Sequence, residues 1–301
     1  MKYLNFGSLN CDFVYAVPWS VRPGETLAAT KRDTFCGGKG LNQSLALARA
    51  GADVYHAGCI GSDGSMLREI LEQSGANTSF VRELNCPSGH AIIQVDEAGQ
   101  NSILLFGGAN QKIDRAMVDE VLDNFDCGDR IILQNEISEI PYLISRASER
   151  GLQVVWNPSP FPQNVQDFPL DKVDCFVVNE IEGAQLTGAT EPDAILDAFK
   201  LRFPNKQILL TLGKDGAVYF DGMVKINVPC VDVPVVDTTG AGDTFLGYFF
   251  AYFDMIGPAE SLKIASAAAA IAVSRAGAAS SIPYADEVSA FIKSGILPNK
   301  I

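Results

Sequence analysis

Residues 36–57 read CGGKGLNQSLALARAGADVYHA: a glycine-rich turn, an apolar run of helical period over 41–50, a stop at Gly51, and a strand-like run over 53–57. Turn, helix and strand in that order form the later part of a βαβ unit. An earlier strand is expected at residues 3–6, where YLNF is short and apolar. Downstream, similar runs recur at residues 130–133, 153–156, 174–178 and 207–212. Helical stretches lie between such runs, for instance residues 66–73, where Met66, Leu67, Ile70 and Leu71 share one face. This alternation predicts an α/β fold, with a parallel sheet covered by helices on both sides.

Two pieces break the rhythm. Residues 89–106 run GHAIIQV, DEAG, QNSILLF, a hairpin with a glycine-containing loop. Residues 12–36 lack a helical period and contain Pro18, Pro23 and Gly24. Because a few strands cannot stand alone, the two pieces are expected to pair into a small β sheet projecting as a lid. The division predicted is a core of residues 1–10, 37–86 and 109–301, and a lid of residues 11–36 and 87–108.

The chain has 301 residues, 47% of them hydrophobic, enough for an enzyme-sized core. Its 23 Lys and Arg against 36 Asp and Glu give a formal charge of -13, which offers no basic footprint for nucleic acid. Seven scattered cysteines without a C-x-x-C pair, and only two histidines, argue against a disulfide framework or a zinc cluster. Asn5, Asn10 and Asp12 interrupt the N-terminal apolar run before it reaches signal-peptide length. The most apolar stretch, residues 264–273, is about half of the ~20 residues that cross a bilayer. These features predict a soluble, cytoplasmic protein that binds neither membrane nor nucleic acid.

In open parallel sheets ligands sit beyond the carboxyl ends of the strands, and the residues there are polar. IILQ is followed by Asn135 and Glu136, QVVW by Asn157, CFVV by Asn179, and ILLTLG ends on Thr211 and Gly213. VDVPVV runs into Asp237, Thr238, Thr239, Gly240, Ala241, Gly242 and Asp243. Each alone reads as a turn or cap; five at one edge read as a site. Gly240, Ala241 and Gly242 bare the backbone at a helix start, a hole for an oxyanion or phosphate. Asp243 would lie beside it in the first helical turn, as a functional carboxylate or as a plain cap. In CGGKGLNQ, Lys39 and Asn42 are donors for hydroxyls or a phosphate. Lys39 is followed by Gly40, so this is no Walker A loop, and neither G-x-G-x-x-G nor G-x-S-x-G occurs. His56 lies in a strand-like run and reads as structural.

With these residues in view, the sequence resembles the ribokinase (PfkB) family of sugar kinases over nearly its whole length. The likeness rests on GSLNCDF at 7–13, GGKGLNQSLALARAGADVYHAGCIGSDG at 37–64 and DTTGAGDTFLGYFFAYF at 237–253. Shorter matches are GGAN at 107–110, NPSP at 157–160, NEIE at 179–182, TLGKDG at 211–216 and AAAAIAVSRAGAASSIP at 267–283. The resemblance implies a three-layer α/β/α, Rossmann-like core and an ATP-dependent kinase for the primary hydroxyl of D-ribose. Other acceptors of the same chemistry are deoxyribose, fructose, a ketogluconate or a nucleoside; a non-catalytic sensor is the distant alternative.

By position, the resemblance makes Asp243 the general base and Gly240, Ala241 and Gly242 the anion hole. Asn10, Asp12, Gly38, Lys39, Asn42 and Glu136 match sugar-binding positions. Asn179, Thr211, Gly213, Gly216 and Ser266 match positions that touch ATP, with Gly242 shared. Ser266 is smaller than the polar side chain that members often present near adenine. Glu182 matches a carboxylate associated with Mg2+. Asp237, Thr239, Ala272, Arg275, Gly277 and Ser281 match a K+ site formed mostly by carbonyls. Ile93, Val95, Ile103 and Leu105 alternate in the lid, and a second copy of the lid is the expected cover, giving a homodimer.

Overall fold

The structure is a computed structural model that describes residues 1–295. Nine strands form one sheet: β1 (Tyr3–Phe6), β4 (Val54–Gly61), β5 (Asn77–Leu84), β8 (Arg130–Leu133), β9 (Gln153–Trp156), β10 (Cys175–Asn179), β11 (Gln207–Thr211), β12 (Ala217–Phe220) and β13 (Lys225–Val228). Their order is β13-β12-β11-β10-β9-β8-β1-β4-β5. Every neighbouring pair from β11 to β5 is parallel; β12 and β13 are antiparallel additions at one edge. The expected α/β architecture with a mostly parallel sheet is therefore present.

Strand alternation divides the core. Cys175, Val177, Val155 and Leu209 pack on one face with α1 (Lys39–Arg49), α2 (Ser65–Gln73), α7 (Ala241–Ile256), α8 (Pro258–Val273) and α9 (Ala285–Lys293). Phe176, Val178, Val154, Trp156, Ile208 and Leu210 pack on the other face with α3 (Arg115–Leu122), α4 (Ile140–Glu149), α5 (Glu180–Thr187) and α6 (Pro192–Arg202). Because neighbours along these strands bury opposite faces, their runs are continuously apolar, as a sheet covered twice requires.

The second sheet has four strands in the order β3-β2-β6-β7. They are β2 (Asn10–Ala16), β3 (Lys31–Gly37), β6 (Gly89–Val95) and β7 (Asn101–Phe106). Two antiparallel pairs, β2–β3 and β6–β7, join through a parallel β2–β6 contact. The two irregular pieces of sequence thus pair with each other. All of β7 is exposed, including Ile103, Leu104, Leu105 and Phe106.

His56 is fully buried on β4, with Nδ1 2.8 Å from the Ser44 hydroxyl. Burial pushes its pKa down to about 3, so the ring is neutral and structural. All seven cysteines are free thiols. No helix among the described residues is long and apolar enough to cross a membrane.

Candidate active site

The site begins where the chain enters α7. Gly240, at the N-cap, has φ 75°, a left-handed conformation in which an L side chain is strained. From there Ala241 N–H donates to Thr238 O at 3.3 Å and Thr244 N–H to Gly240 O at 2.8 Å. No protein acceptor takes the amides of Gly242 and Asp243, and both residues line a cleft at this helix end. Free amides at a helix N-terminus attract an anion through hydrogen bonding and the helix dipole. Of the amides at this turn, those of Gly242 and Asp243 are left free among the described residues, while the Ala241 amide turns back to Thr238.

Asp243 does not cap its helix. Its buried carboxylate takes Gln43 Nε2–H on Oδ1 at 2.8 Å and Asn42 Nδ2–H on Oδ2 at 3.2 Å, both from α1. Lys39, also on α1, lines the same cleft as Asp243. The Asp243 carboxylate, followed by Glu136 and Glu182, raises the Lys39 pKa against the opposing effect of burial. The ammonium therefore stays charged where a phosphoryl group would lie.

The residues that the resemblance matches to sugar-binding positions gather around the start of α1. Glu136, in the turn after β8, accepts from Lys39 N–H at 3.0 Å and from the Ser8 hydroxyl. Burial raises its pKa; the Ser8 and Lys39 contacts oppose this. Burial, with Glu136 second, pushes Asp12 up to about 7. Asn10 Oδ1 accepts from Asn110 Nδ2 at 2.8 Å. Asn110 is itself fixed by Leu9 N–H and Leu9 O at 3.0 and 3.3 Å. Gly38 adopts φ 95° as the N-cap of α1, and a Cβ there would lie 3.0 Å from Ser8 O. Asn42 Oδ1 is buried and has no hydrogen-bond partner among the described residues.

The residues that the resemblance matches to ATP-contacting positions line two adjoining clefts. The larger, about 560 Å3, is mostly apolar and includes Thr211, Gly213, Gly216, Val231, Phe245 and Ser266 in its walls. The smaller, about 200 Å3, is polar and holds Lys39, Asn179, Glu182, Gly242 and Asp243. Thr211, Thr238 and Gly242 border both. An apolar cleft adjoining a polar one suits a nucleoside carrying phosphates. The Ser266 hydroxyl donates to Pro229 O at 3.2 Å, so it ties the wall together.

Asn179 and Glu182 form a capping box at the start of α5. Asn179 Oδ1 accepts from Glu182 N–H at 2.9 Å, and Glu182 Oε2 accepts from Asn179 N–H at 3.0 Å. Glu182 Oε1 has no protein donor and Glu182 lines the polar cleft, which fits a carboxylate near a divalent ion. Among the described residues no three His, Cys, Asp or Glu converge as a metal cage. A Mg2+ held mainly by nucleotide phosphates and water, with few protein carboxylates, needs no such cage.

The segments matched to a K+ site are adjacent. Asp237 Oδ2 accepts from Gly277 N–H at 2.9 Å, and Asp237 Oδ1 from the Thr239 amide and hydroxyl at 2.9 and 2.7 Å. Val236 N–H donates to Val273 O at 2.8 Å, beside Ala272. The Ser281 hydroxyl donates to Ala278 O at 2.8 Å, and Arg275 pairs with Glu287 at 2.5 Å. Carbonyl, hydroxyl and carboxylate oxygens are the donors a hard cation takes.

Sequence reasoning assigned no role to Gln43, Ser8 and Asn110, and named Thr238 only among the polar residues that follow VDVPVV. Gln43 and Thr238 stand inside the two glycine-rich segments, and Asn110 inside GGAN. Their signal was a polar residue beside a glycine turn; which way each side chain pointed was not in the sequence.

The chain matches the pfkB family carbohydrate kinase profile over residues 2–285. It is 35% identical over 298 residues to a ribokinase of Haemophilus influenzae, covering 95% of this chain and 97% of that protein. It is 32% identical over 297 residues to a deoxyribokinase of Salmonella typhi, covering 95% and 97% of the two chains. The solved structure of Arabidopsis thaliana ribokinase complexed with ribose and ATP superposes with a TM-score of 0.84 at 31% identity, covering 97% of this chain and 98% of that one. With the fold, the two glycine-rich turns and the carboxylate at the start of α7, these matches lead to one conclusion: the chain belongs to the pfkB family of carbohydrate kinases, and it is a sugar kinase.

Proposed function

We propose that the enzyme transfers the γ-phosphoryl group of ATP to the primary hydroxyl of D-ribose, giving ribose 5-phosphate. One observation carries this reading. Asp243 lies buried between the donors of α1 and the polar cleft, its carboxylate free of its own helix. There it accepts the proton of the attacking hydroxyl. The Gly242 and Asp243 amides and the Lys39 ammonium stabilise the charge on the transferring group. Mg2+, when bound near Glu182, neutralises phosphate charge, and K+ beside Asp237 would steady the loop that carries the amides.

Asn10, Asp12, Asn42 and Glu136 hold the sugar. Ribose rather than its 2-deoxy analogue is favoured by the buried, unpartnered Asn42 Oδ1. Losing a hydroxyl from such a site costs about 1–3 kcal/mol. The second reading, deoxyribose, is favoured by the similarity to the Salmonella deoxyribokinase. The exposed apolar strand β7 supports a homodimer through the lid, and the family's soluble chemistry a cytoplasmic enzyme. A nucleotide-coupled assay over ribose, deoxyribose, fructose, a ketogluconate and a nucleoside, with and without K+, tests the assignment. The highest kcat/KM is expected on ribose. A higher value on deoxyribose would replace this reading with the second one.

A further inference from the structure

Four amide side chains, three of them fully buried, connect the central strands to Asp243. Asn5 on β1, Gln134 after β8, Gln43 on α1 and Asn157 after β9 adjoin one another beneath the cleft. Asn5, Gln43 and Gln134 have no exposed surface. A primary amide can be turned end for end, exchanging donor and acceptor, so its orientation must be argued from its partners.

Here both ends of the chain are tied to backbone carbonyls, which only accept. Asn5 Nδ2–H donates to Gly40 O at 3.2 Å, which leaves Asn5 Oδ1 as the acceptor for Gln134 Nε2–H at 3.0 Å. Gln134 gives its other hydrogen to Gln43 Oε1 at 2.7 Å. At the other end, Asn157 Nδ2–H donates to Val177 O at 2.9 Å, so Asn157 Oδ1 faces Gln43 Nε2 at 3.3 Å. Gln43 therefore has one orientation: its carbonyl faces Gln134, one amide hydrogen faces Asn157, and the other reaches Asp243 Oδ1 at 2.8 Å. Reversing it would set an oxygen against the carboxylate and a second N–H against Gln134.

We infer that Gln43 is a positioning residue for the phosphoryl transfer. It holds Asp243 by Oδ1 in a single rotamer, so that Oδ2, touched only by Asn42 at 3.2 Å, is presented to the acceptor hydroxyl. The amide relay from Asn5 and Asn157 fixes Gln43 in turn. This inference rests on Asp243 being the base. Gln43 is neutral, has no exposed surface and lines neither cleft, so it acts on the reaction through the Asp243 carboxylate.

The test is a kinetic cycle on the full chain with ribose and ATP. Gln43→Met keeps the side-chain length and removes the donor. Its kcat is expected to fall about 10- to 100-fold, with both KM values within about threefold, since misplacing a reacting group by a fraction of an ångström has effects of that order. In an Asp243→Asn background, the same change should cost less than about twofold. Gln43→Glu keeps the shape and the acceptor for Gln134, and sets an oxygen and a negative charge where the N–H groups faced Asp243 and Asn157. It provides a second measurement should the Met variant fail to fold, and the same loss of kcat is expected. If Asp243→Asn retains the parent rate, the base reading fails and the inference with it. If Asp243→Asn is crippled but either folded Gln43 variant keeps its kcat, or Gln43→Met costs as much in the Asn background as alone, the positioning role alone is overturned.

Discussion

Gly247 of α7 lies against Ala46 of α1 so closely that a Cβ on the glycine would come within 2.4 Å of the Ala46 methyl. The two helices carry the residues that meet at the candidate base. Asn42 and Gln43 stand one turn before Ala46, and Asp243 one turn before Gly247. Their hydrogen bonds of 2.8 and 3.2 Å need this close approach. Gly247→Val should therefore do two things. It should destabilise the fold by about 1–3 kcal/mol through overpacking, and it should lower kcat by separating the base from its donors. Denaturant unfolding and steady-state kinetics on the same sample measure both. A stable variant with parental kcat would show that the helices can part without harming the site.

Asp243→Asn removes the proton acceptor and keeps the size of the side chain. General-base help is typically worth about 10²–10⁴ in rate. The expected variant binds ribose and ATP with dissociation constants close to the parent's and loses kcat by that factor. Binding by calorimetry and turnover by the coupled assay separate the two effects. Lost sugar affinity with an unchanged kcat would make Asp243 a ligand and not a base.

How much of this was legible depends on where each signal resides. β1, β8 and β9 have the bounds expected from the sequence, because each is a short apolar run buried on both faces. β5 was not anticipated: NTSFVREL lies at the sheet edge, mostly unburied, and carries little apolar pattern. The β12–β13 hairpin was missed for a related reason, since AVYF and KINV are only four residues each. The pairing of β2 with β6 was expected only as a sheet, because the register between strands far apart in sequence depends on tertiary contacts. In the site, Asp243 and the glycine turn were readable from residue type alone. Gln43 was not, because two adjacent polar residues on one helix differ by about 100° in direction and both reach α7.

Asn110 locks Asn10 from outside the sugar pocket. It clamps both backbone groups of Leu9 and donates to Asn10 Oδ1 at 2.8 Å. Asn110→Ala should leave Asn10 without its partner and the Leu9 amide buried and unsatisfied, a loss of about 1–3 kcal/mol. The KM for ribose is expected to rise more than the KM for ATP, because the nucleotide clefts contain neither residue. Equal changes in the two KM values would point to a general loosening of the fold.

Asp12 supplies a pH dependence whose sign follows from its surroundings. Burial, and then the Glu136 carboxylate, push its pKa up to about 7, against roughly 3.9 for a free aspartate. The folded chain thus holds a proton that the unfolded chain releases, and between pH ~4 and ~7 the contribution of this group to stability falls as pH rises. Asp12→Asn should flatten that part of the stability profile. Sugar binding runs the other way, because an ionised carboxylate offers more acceptor positions to ribose hydroxyls than a protonated one. Ribose affinity should therefore increase from pH 6 to pH 8, and binding at pH 7 should release protons. The Glu136 carboxylate that raises Asp12 is itself held by the Ser8 hydroxyl and the Lys39 amide. Calorimetric titration of ribose in two buffers of different ionisation enthalpy counts the released protons directly. A buffer-independent enthalpy together with a pH-independent dissociation constant would show that Asp12 is already ionised in the free enzyme.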